Sequence, residues 1–181
     1  MNTLFQGVQW IAPTDLGVSQ LYLNQDKLKE IEKWFDPNRM ELCCPLPVHD
    51  FGNGRLTLTD GHSRAFVAYQ YNVKIPIVYD TDEIVTSDEG QQLYKNDIVW
   101  CQRFNIQTVA DLEPRILDAS KYQYLWLDRC ERAYHLLTGT YECERRQIQQ
   151  QHSDLFLYGA NNDLTTFYFE NKQGDLFEFV L

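Results

Sequence analysis

The sequence predicts an α+β fold, with a mixed α/β domain first, helices next and a β-meander last. Three observations predict it. Through Val85, short Val/Ile/Leu-rich runs alternate with helical spacing. From Thr86 onward, helix-start signals and 3.6-residue periodicity take over. From Leu155 onward, short polar-aromatic runs alternate with Asn- and Gly-rich turns. These changes divide the chain into a first domain at 1–85, a helical segment at 86–146 and a meander at 147–181.

Val8–Ile11 reads as a strand stopped by Pro13. Asn24 or Asp26 can cap a helix whose apolar face is Leu28, Ile31, Trp34 and Phe35. Leu46–His49 is a strand, and Phe51-Gly52-Asn53-Gly54-Arg55 holds an Asn-Gly hairpin signal. Leu56–Thr59 is the return strand, broken by Asp60-Gly61. A helix follows from about Ser63 to Tyr71, closed by Asn72-Val73-Lys74, and Ile75–Tyr79 is a further strand. Ser87 is an N-cap, with Asp88 and Glu89 favourable beside the helix start. A second middle helix starts near Thr108 with Pro114 inside it. Ser120 is expected to cap a third, which carries Tyr124, Leu127, Ala133, Tyr134 and Leu137. Gln147–Gln151 is the most linker-like stretch. The turns of the meander are expected at Asn161–Asp163 and Asn171–Asp175.

Hydrophobic residues make up 44% of the chain and aromatics 14%, which argues for a packed core rather than disorder. No stretch approaches the roughly 20 apolar residues of a membrane span, and no secretory leader is visible. The expected location is cytoplasmic. The net charge is -10, with no basic tail or compact Lys/Arg block, and this weighs against broad contact with DNA phosphates. The cysteine count is five with no C-x-x-C spacing, so reduced thiols are expected rather than a disulfide framework.

The chemistry concentrates at Asp60-Gly61-His62-Ser63-Arg64, between a strand and a helix. Gly61 permits a tight turn and close backbone approach. The amides after it begin a helix, where N–H groups lack partners and the dipole is positive, a geometry that attracts anions. Ser63 can add a hydroxyl donor, His62 one or two N–H donors, and Arg64 a bidentate clamp on phosphate. Asp60 does not fit a bare phosphate site, so it is assigned a metal contact, a general base or an orienting hydrogen bond. Tyr122, Tyr124 and Trp126 could stack a base, although their helical spacing also suits a core. Arg115, Arg129 and Arg132 could add positive charge.

The segment Val8–Asp82 resembles the ParB N-terminal/sulfiredoxin-like domain family. The resemblance rests on Gln9-Trp10-Ile11-Ala12-Pro13 leading to the helix at Lys27–Phe35. It continues with Pro45-Leu46-Pro47-Val48 and the hairpin into Leu56–Ala65, then Tyr71-Asn72-Val73-Lys74-Ile75-Pro76-Ile77-Val78. Partition proteins of this family carry Gly-Glu-Arg-Arg and bind CTP phosphates. Only Gly61 and Arg64 match that run, and no helix-turn-helix is recognisable after it. Sulfiredoxins carry Gly-Cys-His-Arg, and His62 stands where their reactive cysteine would be. The nearest variant is the Asp-Gly-His-His-Arg of free-serine kinases, with Ser63 replacing the second histidine.

The resemblance implies a phosphate cradle made by Gly61, His62, Ser63 and Arg64 for ATP, ADP or CTP with Mg²⁺. It also implies an acidic residue in the first loop that activates a substrate hydroxyl, for which Asp15 is the nearest candidate. The expected catalytic set is Asp60, His62 and Asp15, with Asp60 as the metal contact. The leading expectation is a nucleotide- or phosphate-binding protein, working as a phosphotransferase or nucleotide hydrolase on a small hydroxylated substrate. The alternative is a non-enzymatic nucleotide-binding switch or adaptor, with a DNA-partition-type protein ranked last. The C-terminal part is the expected surface for a second copy or a protein partner.

Overall fold

The computed structural model describes residues 7–138, 148, 150–160 and 166–180. These form two compact units, Met1–Tyr122 and Gln123–Leu181. The architecture is α+β, with six α-helices and three small sheets among the described residues.

The first unit is built on a four-stranded sheet. Its strands are β1 (Gln9–Ile11), β3 (Leu46–Asp50), β4 (Leu56–Leu58) and β5 (Ile75–Tyr79), in the order β1-β5-β3-β4. β3 and β5 are parallel; the outer pairings are antiparallel. The β3–β4 hairpin forms where the Asn-Gly signal placed it. Asp50 Oδ1 accepts the Gly52 and Gly54 amides at 2.9 and 3.0 Å, which closes the loop. Gly17 extends this edge, donating its N–H to Leu56 and accepting from Leu58 N–H at 2.8 and 3.0 Å.

Helix α1 (Gln25–Glu32) begins at Asn24, whose side chain accepts the Asp26 and Lys27 amides. Leu28 and Ile31 form its buried stripe. Helix α2 (His62–Gln70) is buried on several sides, because it packs against α1 and against the 3-10 segments Pro13–Asp15 and Val109–Arg115. Ala65, Phe66, Val67 and Ala68 are all fully buried. Burial of a side chain the size of Phe66 stabilises by about 1.5–3 kcal/mol, so the start of α2 is held by a firm support. Asn72, at φ 53°, ends the helix in the left-handed region.

Helix α3 (Glu83–Thr86) turns sharply into α4 (Asp88–Arg103), and Ser87 Oγ accepts the Gly90 amide at the joint. Thr108 and Asp111 make a capping box, but the segment it starts is 3-10 rather than α-helical. The first unit extends past the composition change near Thr86 and closes at Tyr122. A physical reason is a parallel pair that the sequence reading did not anticipate, between β2 (Leu23–Asn24) and β6 (Ile116–Leu117). Helix α5 (Ala119–Tyr122) corrects another expectation. Asp118 caps it by accepting the Lys121 amide at 2.9 Å, and Ser120 lies inside it.

In the second unit, a π-helical stretch at Gln123–Leu127 precedes α6 (Asp128–Thr138). The expected meander forms from β7 (Phe156–Ala160), β8 (Thr166–Glu170) and β9 (Leu176–Val180), paired antiparallel in that order. Phe169 is buried against the edge of Phe179, with ring centroids 5.4 Å apart. The first expected turn, Asn161–Asp163, lies outside the described residues. The second forms around Asn171, whose side chain accepts the Gln173 and Asp175 amides. The stretch read as linker is helical at its described positions, and Ile148 is buried there. No described helix is long and apolar enough to cross a membrane.

Candidate functional site

β4 carries Thr59 and Asp60 out of the sheet, and the chain turns at once into α2. Gly61 makes that turn at φ 80°, in the left-handed region. A Cβ there would stand 2.8 Å from Leu46 Cδ2 and 3.1 Å from Arg64 Nη2. Conformation and crowding therefore both call for glycine. Gly61 caps α2 without a side chain, so the cap offers no acceptor to the amides of His62, Ser63 and Arg64. They begin the helix at the positive end of its dipole.

Arg64 folds back over this turn. Its Nη2 lies 3.9 Å from Asp60 Oδ2, and its Nη1 donates to the Cys44 carbonyl at 3.4 Å. The Asp60 side chain is 70% exposed. An ion pair this long and this exposed contributes little. A phosphate would offer the same guanidinium a shorter, bidentate contact.

His62 sits differently from a phosphate donor in solvent. Its ring is buried, and Nε2 accepts the Ser19 N–H at 3.1 Å. Ser19 Oγ also lies 3.4 Å from Nε2, but its proton goes to the Leu58 carbonyl at 2.8 Å. Nε2 is thus the acceptor, and the neutral ring carries its proton on Nδ1. Burial pushes the pKa of His62 down to about 4, with the Asp60 charge opposing the fall and Lys27 adding to it. The histidine acts as an internal clamp between the loop at Ser19 and the start of α2. Ser63 beside it is also buried. Asp15 is exposed at the end of the 3-10 turn that packs on α2.

A second group of residues, not anticipated from the sequence, gathers beside Asp60. Thr59 Oγ1 donates to Asp80 Oδ2 at 2.5 Å, and Tyr94 OH donates to the Thr59 carbonyl at 3.2 Å. Burial, then the charges of Asp80, Asp97 and Asp60, push the Tyr94 hydroxyl up to about 12. His49 donates from Nδ1 to the Asp80 carbonyl at 2.8 Å and accepts from Gln91 Nε2 at 3.2 Å. The group braces the ends of β3 and β5, near which the Asp60 turn emerges. The only sequence signal for it was a set of polar residues at strand ends, which turns also explain.

Among the described residues, no three His, Cys, Asp or Glu side chains converge on a metal position. One exposed carboxylate, Asp60, fits a Mg²⁺ that arrives on nucleotide phosphates and keeps most of its waters. It does not fit a resident ion. Arg115 is not a free charge. Its Nε donates to the Leu21 carbonyl at 2.7 Å, and its guanidinium lies over Tyr22 and Phe104, 4.5 and 4.9 Å from the ring centroids. Trp126 is buried and Tyr124 is exposed, so the two do not form a shared stacking face.

No protein-family profile matches this chain, and no curated protein or solved structure matches it either.

The cavities of the first unit include two of interest. One, of about 190 Å³, is lined by residues that include Gly17, Arg55, Thr57 and Gln102. The other, of about 240 Å³, is lined by Trp34, Phe35, Asp36, Arg39, Met40, Leu42 and Cys43. Neither is lined by residues 60–64, but the second ends one residue from Cys44, the acceptor of Arg64. Burial raises the pKa of the Cys43 thiol, while the Arg64 charge pulls it back down, so the arginine's field reaches that wall.

Proposed function

We propose that this chain is a nucleotide-binding protein of the ParB/sulfiredoxin type that holds phosphate at Gly61, Ser63 and Arg64. Its activity would be phosphotransfer to a small hydroxylated substrate, or nucleotide hydrolysis. The observation that carries the reading is the turn at Gly61. A left-handed glycine opens α2 without a capping side chain, and Arg64 folds over the same spot, 3.1 Å from where a Cβ would sit. Few structural needs require both features together, whereas an anion uses both.

In this reading Arg64 and the helix-start amides bind phosphate oxygens. Asp60 would hold the Mg²⁺ that the nucleotide brings. That ion would screen phosphate charge. Asp15, exposed on the turn that packs against α2, is the proposed general base toward the substrate hydroxyl. His62 positions the turn and is not assigned a proton-transfer step. A nucleotide-binding switch without turnover is the second reading, favoured by the fixed, neutral state of His62.

Incubation with ATP, ADP or CTP plus Mg²⁺, with and without free hydroxylated amino acids, tests the proposal. Phosphorylated amino acid or released phosphate, abolished in Asp60→Asn, is the expected result. Tight binding with no product would favour the switch, and no binding would remove both readings.

A further inference from the structure

We infer that the cavity between Trp34 and Cys43 receives the base of the nucleotide whose phosphates sit at Gly61–Arg64. The inference rests on the nucleotide-binding reading and adds to it the place of the base. The two places are connected by chain. Cys43 lines the cavity, and the next residue, Cys44, accepts from Arg64 Nη1 at 3.4 Å. They also lie toward opposite ends of α2. Phe35, in the cavity wall, stacks on Tyr71 just past the C-terminus of α2, with centroids 5.5 Å apart. Gly61 is at the other end, and nine helical residues span about 13 Å, a separation that suits an extended nucleoside triphosphate.

The lining suits a flat heterocycle. Trp34 is 56% exposed at the rim, although a large aromatic gains by burial. Its ring offers a stacking face. Leu42 in the lining is similarly exposed, and Met40 and Phe35 are its buried apolar members. Arg39 and Asp36 supply a donor and an acceptor at the edge. Asp36 Oδ1 already accepts the Asn38 amide, which leaves Oδ2 for an exocyclic amine.

The test compares ATP and CTP with inorganic tripolyphosphate, all with Mg²⁺, on wild type, Trp34→Ala and Trp34→Phe. The expected result is that a nucleotide binds wild type more tightly than tripolyphosphate. Trp34→Ala should weaken the nucleotide roughly 5- to 100-fold while leaving tripolyphosphate unchanged, and Trp34→Phe should recover most of the loss. Trp34 is largely exposed, so unchanged melting of the variants can confirm that folding is intact. Equal binding of nucleotide and tripolyphosphate, with no effect of Trp34→Ala, would overturn the base subsite and leave the phosphate site standing. Failure of tripolyphosphate and nucleotides alike would overturn both.

Discussion

The residue that decides most at the scale of single side chains is His62. Its neutral ring is an acceptor for Ser19 N–H inside the protein, and burial holds its pKa near 4 rather than the usual 6.5. Between those two values the unfolded chain takes up a proton that the folded chain refuses. Stability therefore falls as the pH drops from about 6.5 to about 4, by up to roughly 3 kcal/mol in total. Glutamine can replace the acceptor without titrating. Urea unfolding at pH 7.5, 6 and 5 should show a steeper loss for wild type than for His62→Gln. Parallel losses would mean that the histidine is not the group responsible. The sequence marked this position as chemically special, but as a ligand donor. What it could not reveal was Ser19, forty-three positions away, because a serine within Leu16–Leu21 has no local pattern to signal its partner.

At the scale of elements, two glycines set the angles on which the site depends. Gly61→Ala must hold an L-residue in the left-handed region, which costs about 1–2 kcal/mol, and would also push Leu46 and Arg64. Gly90→Ala is more severe. Its Cβ would meet the Ile84 carbonyl oxygen at 2.0 Å, and that atom belongs to the backbone of the α3–α4 corner. We expect a loss of about 3 kcal/mol, read from chemical denaturation, with Gly61→Ala losing less stability but more phosphate affinity. Elements governed by neighbouring residues were legible beforehand. These include the Asn24 cap, the Asn-Gly hairpin between β3 and β4, a start near Thr108 and the helix stop at Asn72. The β2–β6 pair was not, because each strand has two residues and its partner lies far along the chain. The α5 cap was misplaced because Asp118 and Ser120 are both good N-cap types, and only the fold chooses between them.

For the whole molecule, the meander strands lie at Phe156–Val180 and the first compact unit runs to Tyr122. The change of texture at Thr86 reflects a switch from strands to helices, not the end of a compact unit. Trp100, Val109 and Leu112 are buried, and β6 pairs with β2, so the chain to Tyr122 belongs with the sheet. A fragment of residues 1–122 should therefore fold cooperatively and keep nucleotide affinity. A fragment of residues 1–85 should not, since it lacks β6 and leaves the apolar surface met by Val109 and Leu112 uncovered. Thermal melts with a far-ultraviolet signal distinguish the two, and a cooperative transition in the shorter fragment would contradict the assignment.

The proposed function requires the guanidinium of Arg64 to meet a phosphate at the start of α2. Calorimetric titration of ATP, ADP and CTP with Mg²⁺ into wild type and Arg64→Ala addresses this directly. Wild type should bind at least one of the three, and the variant should bind it about 1.5–3 kcal/mol more weakly with its melting temperature nearly unchanged. Equal affinity in the two proteins, or no binding by wild type, would contradict the proposed function.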